Sequence, residues 1–86
     1  MTFAIHWSKK AGRVLGRLPH QIARRISCKV DSIKDHPFHF LEHHYGSDLF
    51  KLRVGSYRLL VAVDLEKRII SVQAFGHRRN IYKRIL

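Results

Sequence analysis

The sequence predicts an α+β fold in which an antiparallel sheet carries an N-terminal helical hairpin on one face. Alternating apolar residues mark strands near residues 2–7, 49–64 and 69–75. Two apolar stripes at helical spacing occupy residues 9–35, and no linker or repeat divides the 86 residues. The predicted order of elements is β-α-α-β-β-β-α, and residues 1–86 are expected to form a single domain.

The N-terminal part of the chain predicts one strand followed by two helices. Phe3, Ile5 and Trp7 alternate with Thr2, Ala4 and His6, which is typical of a half-buried strand. Ser8 then offers an N-cap for the first helix. Pro19 suits the first position of the second helix. The apolar positions of the two helices predict a shared buried side: Ala11, Val14, Leu15, Leu18, Ile22, Ile26, Val30 and Ile33.

His36-Pro37 is expected to end the second helix, because the residue before a proline is pushed out of the α region. Residues 36–48 show no sustained period, so we expect a connecting loop with or without a short turn of helix. Four histidines lie in this loop without the spacing of a zinc site: His36, His39, His43 and His44. We therefore predict neither a metal nor another cofactor.

The stretch from Lys51 to Arg58 predicts a β-hairpin turning at Gly55-Ser56, since a leading glycine suits a type II′ turn. In this register Arg53 lies opposite Arg58, and Lys51 shares their face of the sheet. The other face carries the apolar side chains: Phe50, Leu52, Val54, Tyr57, Leu59, Val61 and Val63. Directly opposed like charges repel, at a cost of roughly 0.2–1 kcal/mol, so an uncovered face with three cations predicts a bound anion.

A third strand is predicted over Ile69–Phe75, with Gly76 at its end and a short final helix between Asn80 and Ile85. Three of its residues are expected on the buried face: Ile70, Val72 and Ala74. The strand ends near the hairpin turn. We therefore expect the next three residues to line one groove with Arg53 and Arg58; they are His77, Arg78 and Arg79.

Charge is the strongest global signal. Seventeen Lys and Arg against six Asp and Glu give a net charge of +11, and no acidic residue follows Glu66. Such a field favours nucleic acid, an anionic membrane or an acidic protein partner. No apolar run approaches the ~20 residues of a transmembrane helix. The lone Cys28, expected to be a small buried residue, fits a reducing compartment, so we expect a soluble cytoplasmic protein without a membrane partner.

The string from Lys51 to Arg58 (KLRVGSYR), the string from Gly76 to Arg79 (GHRR) and Tyr82 resemble the RelE/ParE superfamily of toxin–antitoxin toxins. The resemblance covers essentially the whole chain and is closest to the RelE-like mRNA interferases. It implies a metal-independent endoribonuclease that enters the ribosomal A site and cleaves translated mRNA through the 2′-hydroxyl, which inhibits translation. It also implies two kinds of partner: the ribosome with its mRNA, and an acidic RelB-like antitoxin that inactivates the toxin in a hetero-oligomer.

The resemblance assigns roles by position. Arg58 matches the family arginine that contacts the scissile phosphate, and Arg78 matches one implicated in proton transfer or phosphate stabilisation. Tyr82 matches the tyrosine that stacks on the substrate base, and Lys51 matches the second of two family lysines. The first of those lysines would fall at Leu49. Three further residues are candidates for contacting RNA phosphates: Arg53, Arg79 and Lys83.

Several alternatives stay open on the sequence. The general base is unassigned because Leu49 replaces a lysine, and His77 is a candidate base or acid since imidazole titrates near neutrality. Arg53 and Arg58 could be solvated surface side chains, and Tyr82 could be a packing residue. The rival functions are a ParE-like inhibitor of DNA gyrase without nuclease activity and a non-catalytic basic module that binds RNA or DNA.

Overall fold

The computed structural model describes residues 2–77. In this range two helices, a 3₁₀ turn and five strands follow in the order β1 Ala4–Trp7, α1 Lys9–Arg17, α2 His20–Ser32, 3₁₀ turn Pro37–His39, β2 Glu42–His43, β3 Phe50–Val54, β4 Tyr57–Asp64 and β5 Ile69–His77. The helix predicted between Asn80 and Ile85 lies outside the described residues. The α+β class is confirmed.

The five strands form one sheet in the order β1-β5-β4-β3-β2. The β2–β3, β3–β4 and β4–β5 pairs are antiparallel, whereas β1 runs parallel to β5 and aligns Ala4 with Ile69 and Trp7 with Val72. The prediction of an antiparallel sheet is therefore wrong for this pair. A parallel pair requires a long connection rather than a tight turn, and all elements from α1 to β4 lie between these two strands.

The helical hairpin packs its apolar stripes against one face of the sheet, as predicted. Pro19 lies just before the first residue of α2 instead of within it. Cys28 is exposed, so the prediction that it is buried is wrong. It lies two residues after the buried Ile26, which places it about 200° around the helix axis from that stripe. The buried apolar residues are Phe3, Ala11, Ile26, Val30, Ile33, Leu41, Leu52, Val54, Leu59, Leu60, Val61, Ile70, Val72 and Phe75.

The β3–β4 hairpin has the predicted register. Val54 pairs with Tyr57 and Arg53 with Arg58, on either side of a two-residue turn. Gly55 has a φ of +59°, in the left-handed region, whereas Ser56 does not have a positive φ. A positive φ at the first central residue alone is the pattern of a type II′ turn, which glycine adopts without steric cost.

A β-bulge in β5 decides which of its side chains enter the core. The pairing with β4 shifts so that Leu60 faces Ala74 while the next residue of β4 faces Val72, which leaves Gln73 as the extra residue. The alternation of side chains reverses after such an insertion. Phe75 instead of Ala74 is therefore buried, and the prediction that Ala74 joins the buried face is wrong.

The last described strand is longer than predicted. Gly76 pairs with Arg58 and His77 pairs with Tyr57, so β5 continues to the first residue of β4. The prediction that Gly76 ends the strand is wrong, because a paired neighbouring strand continues the ladder through a glycine.

The segment 36–48 is more ordered than a plain loop. It contains the 3₁₀ turn and the edge strand β2, in which Glu42 pairs with Lys51 and His43 pairs with Phe50. The rings of Phe38 and His43 both pack edge-on against Phe50, with centroid distances of 5.4 and 5.5 Å. The short turn of helix that the sequence left open is present, and the strand was missed because two residues carry no period.

Ser8 connects the first helix to the β-bulge through hydrogen bonds. Its hydroxyl oxygen accepts a hydrogen bond from the N–H of Ala11 at 3.0 Å, which confirms the predicted cap. The same hydroxyl donates to the carbonyl of Gln73 at 3.0 Å, and the Ser8 N–H donates to the carbonyl of Val72. One side chain therefore stabilises both the start of α1 and the irregular step in β5.

We expect Ser8→Ala to lower the free energy of unfolding by about 1–2 kcal/mol, because it removes a helix cap and a second hydrogen bond. Denaturant unfolding measures this change. Ser8→Asp keeps an acceptor for the cap but cannot donate to Gln73, so it should recover part of the loss. Ser32→Ala is the control, since among residues 2–77 that hydroxyl bonds the carbonyl of Lys29 alone, at the exposed end of α2. Equal effects of Ser8→Ala and Ser32→Ala would contradict the double role of Ser8.

Candidate nucleic-acid interface

Two arginines stand side by side on the sheet face that the helices do not cover. Arg53 on β3 pairs directly with Arg58 on β4, one step from the turn, as predicted. In a two-residue hairpin the pair next to the turn is hydrogen-bonded and the following pair is not, so the Cα atoms of the two arginines are about 4.5 Å apart. The two side chains therefore leave the sheet together. Lys51 shares this face, opposite Leu60.

No acidic side chain within residues 2–77 forms an ion pair with these cations. The ion pair found in that range joins Lys34 to Asp31 at 3.1 Å, on the end of α2. Arg53 is exposed, whereas Arg58 is half-buried. The Nη1 atom of Arg58 is buried and has no hydrogen-bond partner within the described part of the chain. A buried cationic donor without a partner is costly, so this position favours a bound anion.

The cationic face is less open than predicted. Leu60 points to this face, yet it is 0% exposed, and Lys51 and Arg58 are both half-buried. Lys51 lies directly opposite Leu60 and Arg58 precedes it by two residues, so long aliphatic stems border this leucine. On the other side of Arg58 the paired residue is Gly76, which places no side chain beside the guanidinium.

His77 lies at the predicted end of the sheet, but on the face opposite to that of Arg53 and Arg58. It pairs with Tyr57, and the two rings pack edge-on with their centroids 5.8 Å apart. Tyr57 belongs to the helix-covered face, so the imidazole is directed away from Arg58. The prediction that His77 lines a groove with Arg53 and Arg58 is wrong, because the bulge at Gln73 reverses the alternation of β5 before this residue.

The other predicted site residues, Arg78, Arg79, Tyr82 and Lys83, lie outside the described residues. Their place in the site stays a prediction.

Two residues near the site were not predicted from the sequence. Glu42 lies directly opposite Lys51 and is exposed on the cationic face. Arg25 of α2 reaches the hairpin turn: a Cβ atom at Gly55 would lie 3.6 Å from its Cζ atom. Glu42 belongs to a strand too short to detect. The neighbourhood of Arg25 depends on how α2 docks on the sheet, which no local pattern reveals.

The histidines of the 36–48 segment are dispersed. His36 and His39 stack with centroids 5.2 Å apart, His43 packs on Phe50, and His44 is buried. Across residues 2–77, no group of three or more histidine, cysteine or acidic residues is arranged to hold a metal ion. A shallow cavity of about 300 Å³ lies between His36, His39, Phe3 and Arg68, at the end of the sheet opposite the Gly55 turn.

The fold and the site define a small basic α+β protein in which Arg53 and Arg58 have no acidic partner within residues 2–77. A family model described as the ParE toxin of type II toxin–antitoxin systems matches residues 5–82. The chain therefore belongs to this family of toxins, within the RelE/ParE superfamily that the sequence resembles.

Solved structures share the fold at low sequence identity. The RelBE2 toxin–antitoxin complex of Mycobacterium tuberculosis has a TM-score of 0.78 and 22% identity, covering 91% of this chain and 100% of that one. The archaeal RelE–RelB complex of Pyrococcus horikoshii has a TM-score of 0.76 and 24% identity, covering 93% and 99%. A mutant of the E. coli toxin RelE in the free state has a TM-score of 0.74 and 21% identity, covering all of both chains.

No curated protein matches the chain in sequence at a significant level. Neither α1 nor α2, the helices of the described range, is long and apolar enough to cross a membrane.

We expect Arg53→Gln to raise the free energy of unfolding by about 0.2–1 kcal/mol at low salt, because it removes a directly opposed like charge. The gain should shrink at 1 M salt, where the Debye length is about 3 Å. Urea unfolding at the two ionic strengths measures it. Arg24→Gln removes the same charge from the exposed side of α2 and should change stability by less than about 0.5 kcal/mol. A loss of stability in Arg53→Gln at low salt would show that the pair is not under repulsion.

Proposed function

We propose that this toxin is a ribosome-dependent endoribonuclease that cuts translated mRNA in the A site. The observation that carries the proposal is the environment of Arg58. Its guanidinium is half-buried, one terminal nitrogen lacks a partner among residues 2–77, and Arg53 stands directly opposite. A phosphate diester fits this environment, because a guanidinium binds two phosphate oxygens at once and the added charge relieves the repulsion.

RNA brings its own nucleophile to such a site. Cleavage by the 2′-hydroxyl requires in-line alignment, a base for that hydroxyl, an acid for the leaving 5′-oxygen, and cations for the charge that develops on phosphate. In our proposal Arg58 and Arg53 supply the cations. The ribosome would present and bend the message, so a small site without a deep substrate pocket suffices.

The roles that we propose for the other residues depend on the face of the sheet on which each residue lies. Lys51 and Glu42 are on the same face as Arg58 and lie opposite each other, so they are the proposed proton-transfer groups. His77 is directed to the other face, which argues against the role that the sequence left open for it. By the family resemblance, we propose that Arg78 assists at the phosphate and Tyr82 stacks on the base, with Arg79 and Lys83 as further phosphate contacts.

We further propose an acidic RelB-like antitoxin as the protein partner. The matched chains of the M. tuberculosis toxin–antitoxin complex RelBE2 and of the P. horikoshii RelE–RelB complex share the fold of this chain. A chain of net charge +11 attracts polyanions without selectivity, and an acidic partner with complementary charge would cover it quickly and specifically. Such a toxin acts where ribosomes translate, so the proposal includes a cytoplasmic location and a toxin–antitoxin hetero-oligomer.

We expect Arg58→Ala and Arg78→Ala each to reduce mRNA cleavage by roughly 10²–10³-fold, by analogy with the loss of one transition-state donor. Arg58→Lys keeps the charge but loses the planar fork, so it should recover only part of the activity. Primer extension on a reporter message from cells that express each variant measures the cuts, and circular dichroism confirms folding. Arg13→Ala, exposed on α1, is the control and should cut like the parent chain.

The outcome separates the rival functions. Cuts confined to translated regions and lost in both arginine variants support the nuclease. Induced DNA breaks without RNA cuts would instead identify a ParE-like gyrase inhibitor. The absence of both, with RNA or DNA binding retained, would identify a non-catalytic binding module. Unchanged cleavage in both Arg58→Ala and Arg78→Ala would contradict the proposed site.

A further inference from the structure

Helix α2 brings a third arginine to the tip of the β3–β4 hairpin. A Cβ atom built on Gly55 would lie 3.6 Å from Cζ, 3.6 Å from Nη1 and 3.7 Å from Nη2 of Arg25. Because these three atoms are nearly equidistant from one point, the guanidinium plane lies roughly face-on to the turn. Its N–H bonds lie in that plane, so they point past the turn instead of into the glycine backbone.

Like Arg53 and Arg58, Arg25 has no acidic partner among the described residues. It is exposed, and within residues 2–77 it forms no ion pair and no side-chain hydrogen bond. Arg25 reaches the Gly55-Ser56 turn from the helix-covered side, whereas the arginine pair lies on the other face, one pairing step below the turn. Three guanidinium groups therefore flank the tip of a single hairpin.

We propose that Arg25 is a further phosphate-binding residue and that the RNA strand bends over the Gly55-Ser56 turn, contacting Arg53 and Arg58 on one face and Arg25 on the other. This inference rests on the proposed function, since it concerns how the same RNA continues beyond Arg58. The two faces of the hairpin are separated by the thickness of one sheet layer, about 10 Å with its side chains. A single strand can follow so tight a bend, whereas duplex nucleic acid, with a persistence length of about 50 nm, cannot.

The proposal defines the kind of RNA segment that is recognised. Contacts to phosphate position a strand without reading its bases, so Arg25 should contribute equally for every sequence. The contact should be specific for single strands, because only a single strand reaches both faces of the hairpin.

The test is the salt dependence of binding to a single-stranded 2′-O-methyl oligonucleotide, which lacks the 2′-hydroxyl and is not cut. Fluorescence anisotropy gives the slope of log K against log salt. We expect Arg25→Gln to weaken binding several-fold and to reduce the magnitude of the slope by about 0.7, the value for one phosphate contact on a single strand. Arg24→Gln has the same net charge and lies on the same helix, and it should leave the slope unchanged.

Two further measurements, on duplex nucleic acid and on a lysine variant, complete the test. The difference between Arg25→Gln and Arg24→Gln should disappear on the same oligonucleotide annealed to its complement. Arg25→Lys should retain the slope, because it keeps the charge at the turn. The inference would be overturned if Arg24→Gln and Arg25→Gln gave equal slopes on the single strand. It would also be overturned if Arg25→Gln weakened binding to the duplex as much as it weakens binding to the single strand. The failure of the proposed function is distinguishable, since it would appear as the absence of mRNA cuts in cells that express the parent chain, whatever Arg25 does.

Discussion

The register of the β3–β4 hairpin holds Arg53 directly opposite Arg58 despite the repulsion between them, and the turn and the core together enforce this register. The positive φ of Gly55 allows a two-residue turn, and that turn fixes the pairing of the strands. The same pairing buries Leu52 and Leu59 beneath the helices. A slip of one residue would direct the arginines into the core, so the apolar face holds the two charges together. Packing of the core therefore maintains the repulsion between the two arginines, which a bound phosphate would relieve.

A second constraint acts through the bulge at Gln73. It places Phe75 in the core, directs His77 towards Tyr57, and leaves Gly76 as the neighbour of Arg58. The hydroxyl of Ser8 donates to the Gln73 carbonyl while it caps α1, so the N-terminal helix helps to hold this irregular step. The placement of a glycine opposite Arg58 thus depends on contacts made far from the arginine pair.

Local patterns predicted most of the fold and the placement of the candidate site residues on the β3–β4 hairpin. The hairpin register, the Ser8 cap and the apolar stripes were predictable because each depends on neighbours in sequence. The parallel pairing of β1 with β5 was not, since it joins segments separated by most of the chain. The bulge at Gln73 was missed because a single inserted residue is invisible in an alternating run, and it alone overturned the predicted place of His77. Glu42 and Arg25 were missed because strand pairing and helix docking, which bring them to the site, are tertiary.

We propose Arg53 and Arg58 as the primary phosphate site of the basic surface. A titration of the ¹⁵N-labelled protein with a short, non-cleavable single-stranded RNA, followed through the arginine Nε–Hε resonances, tests this assignment. We expect the Arg58 and Arg53 resonances to shift first and to saturate together, while those of Arg13 and Arg17, exposed on α1, shift little. Uniform shifts across all arginines, or shifts that leave Arg58 unchanged, would contradict it.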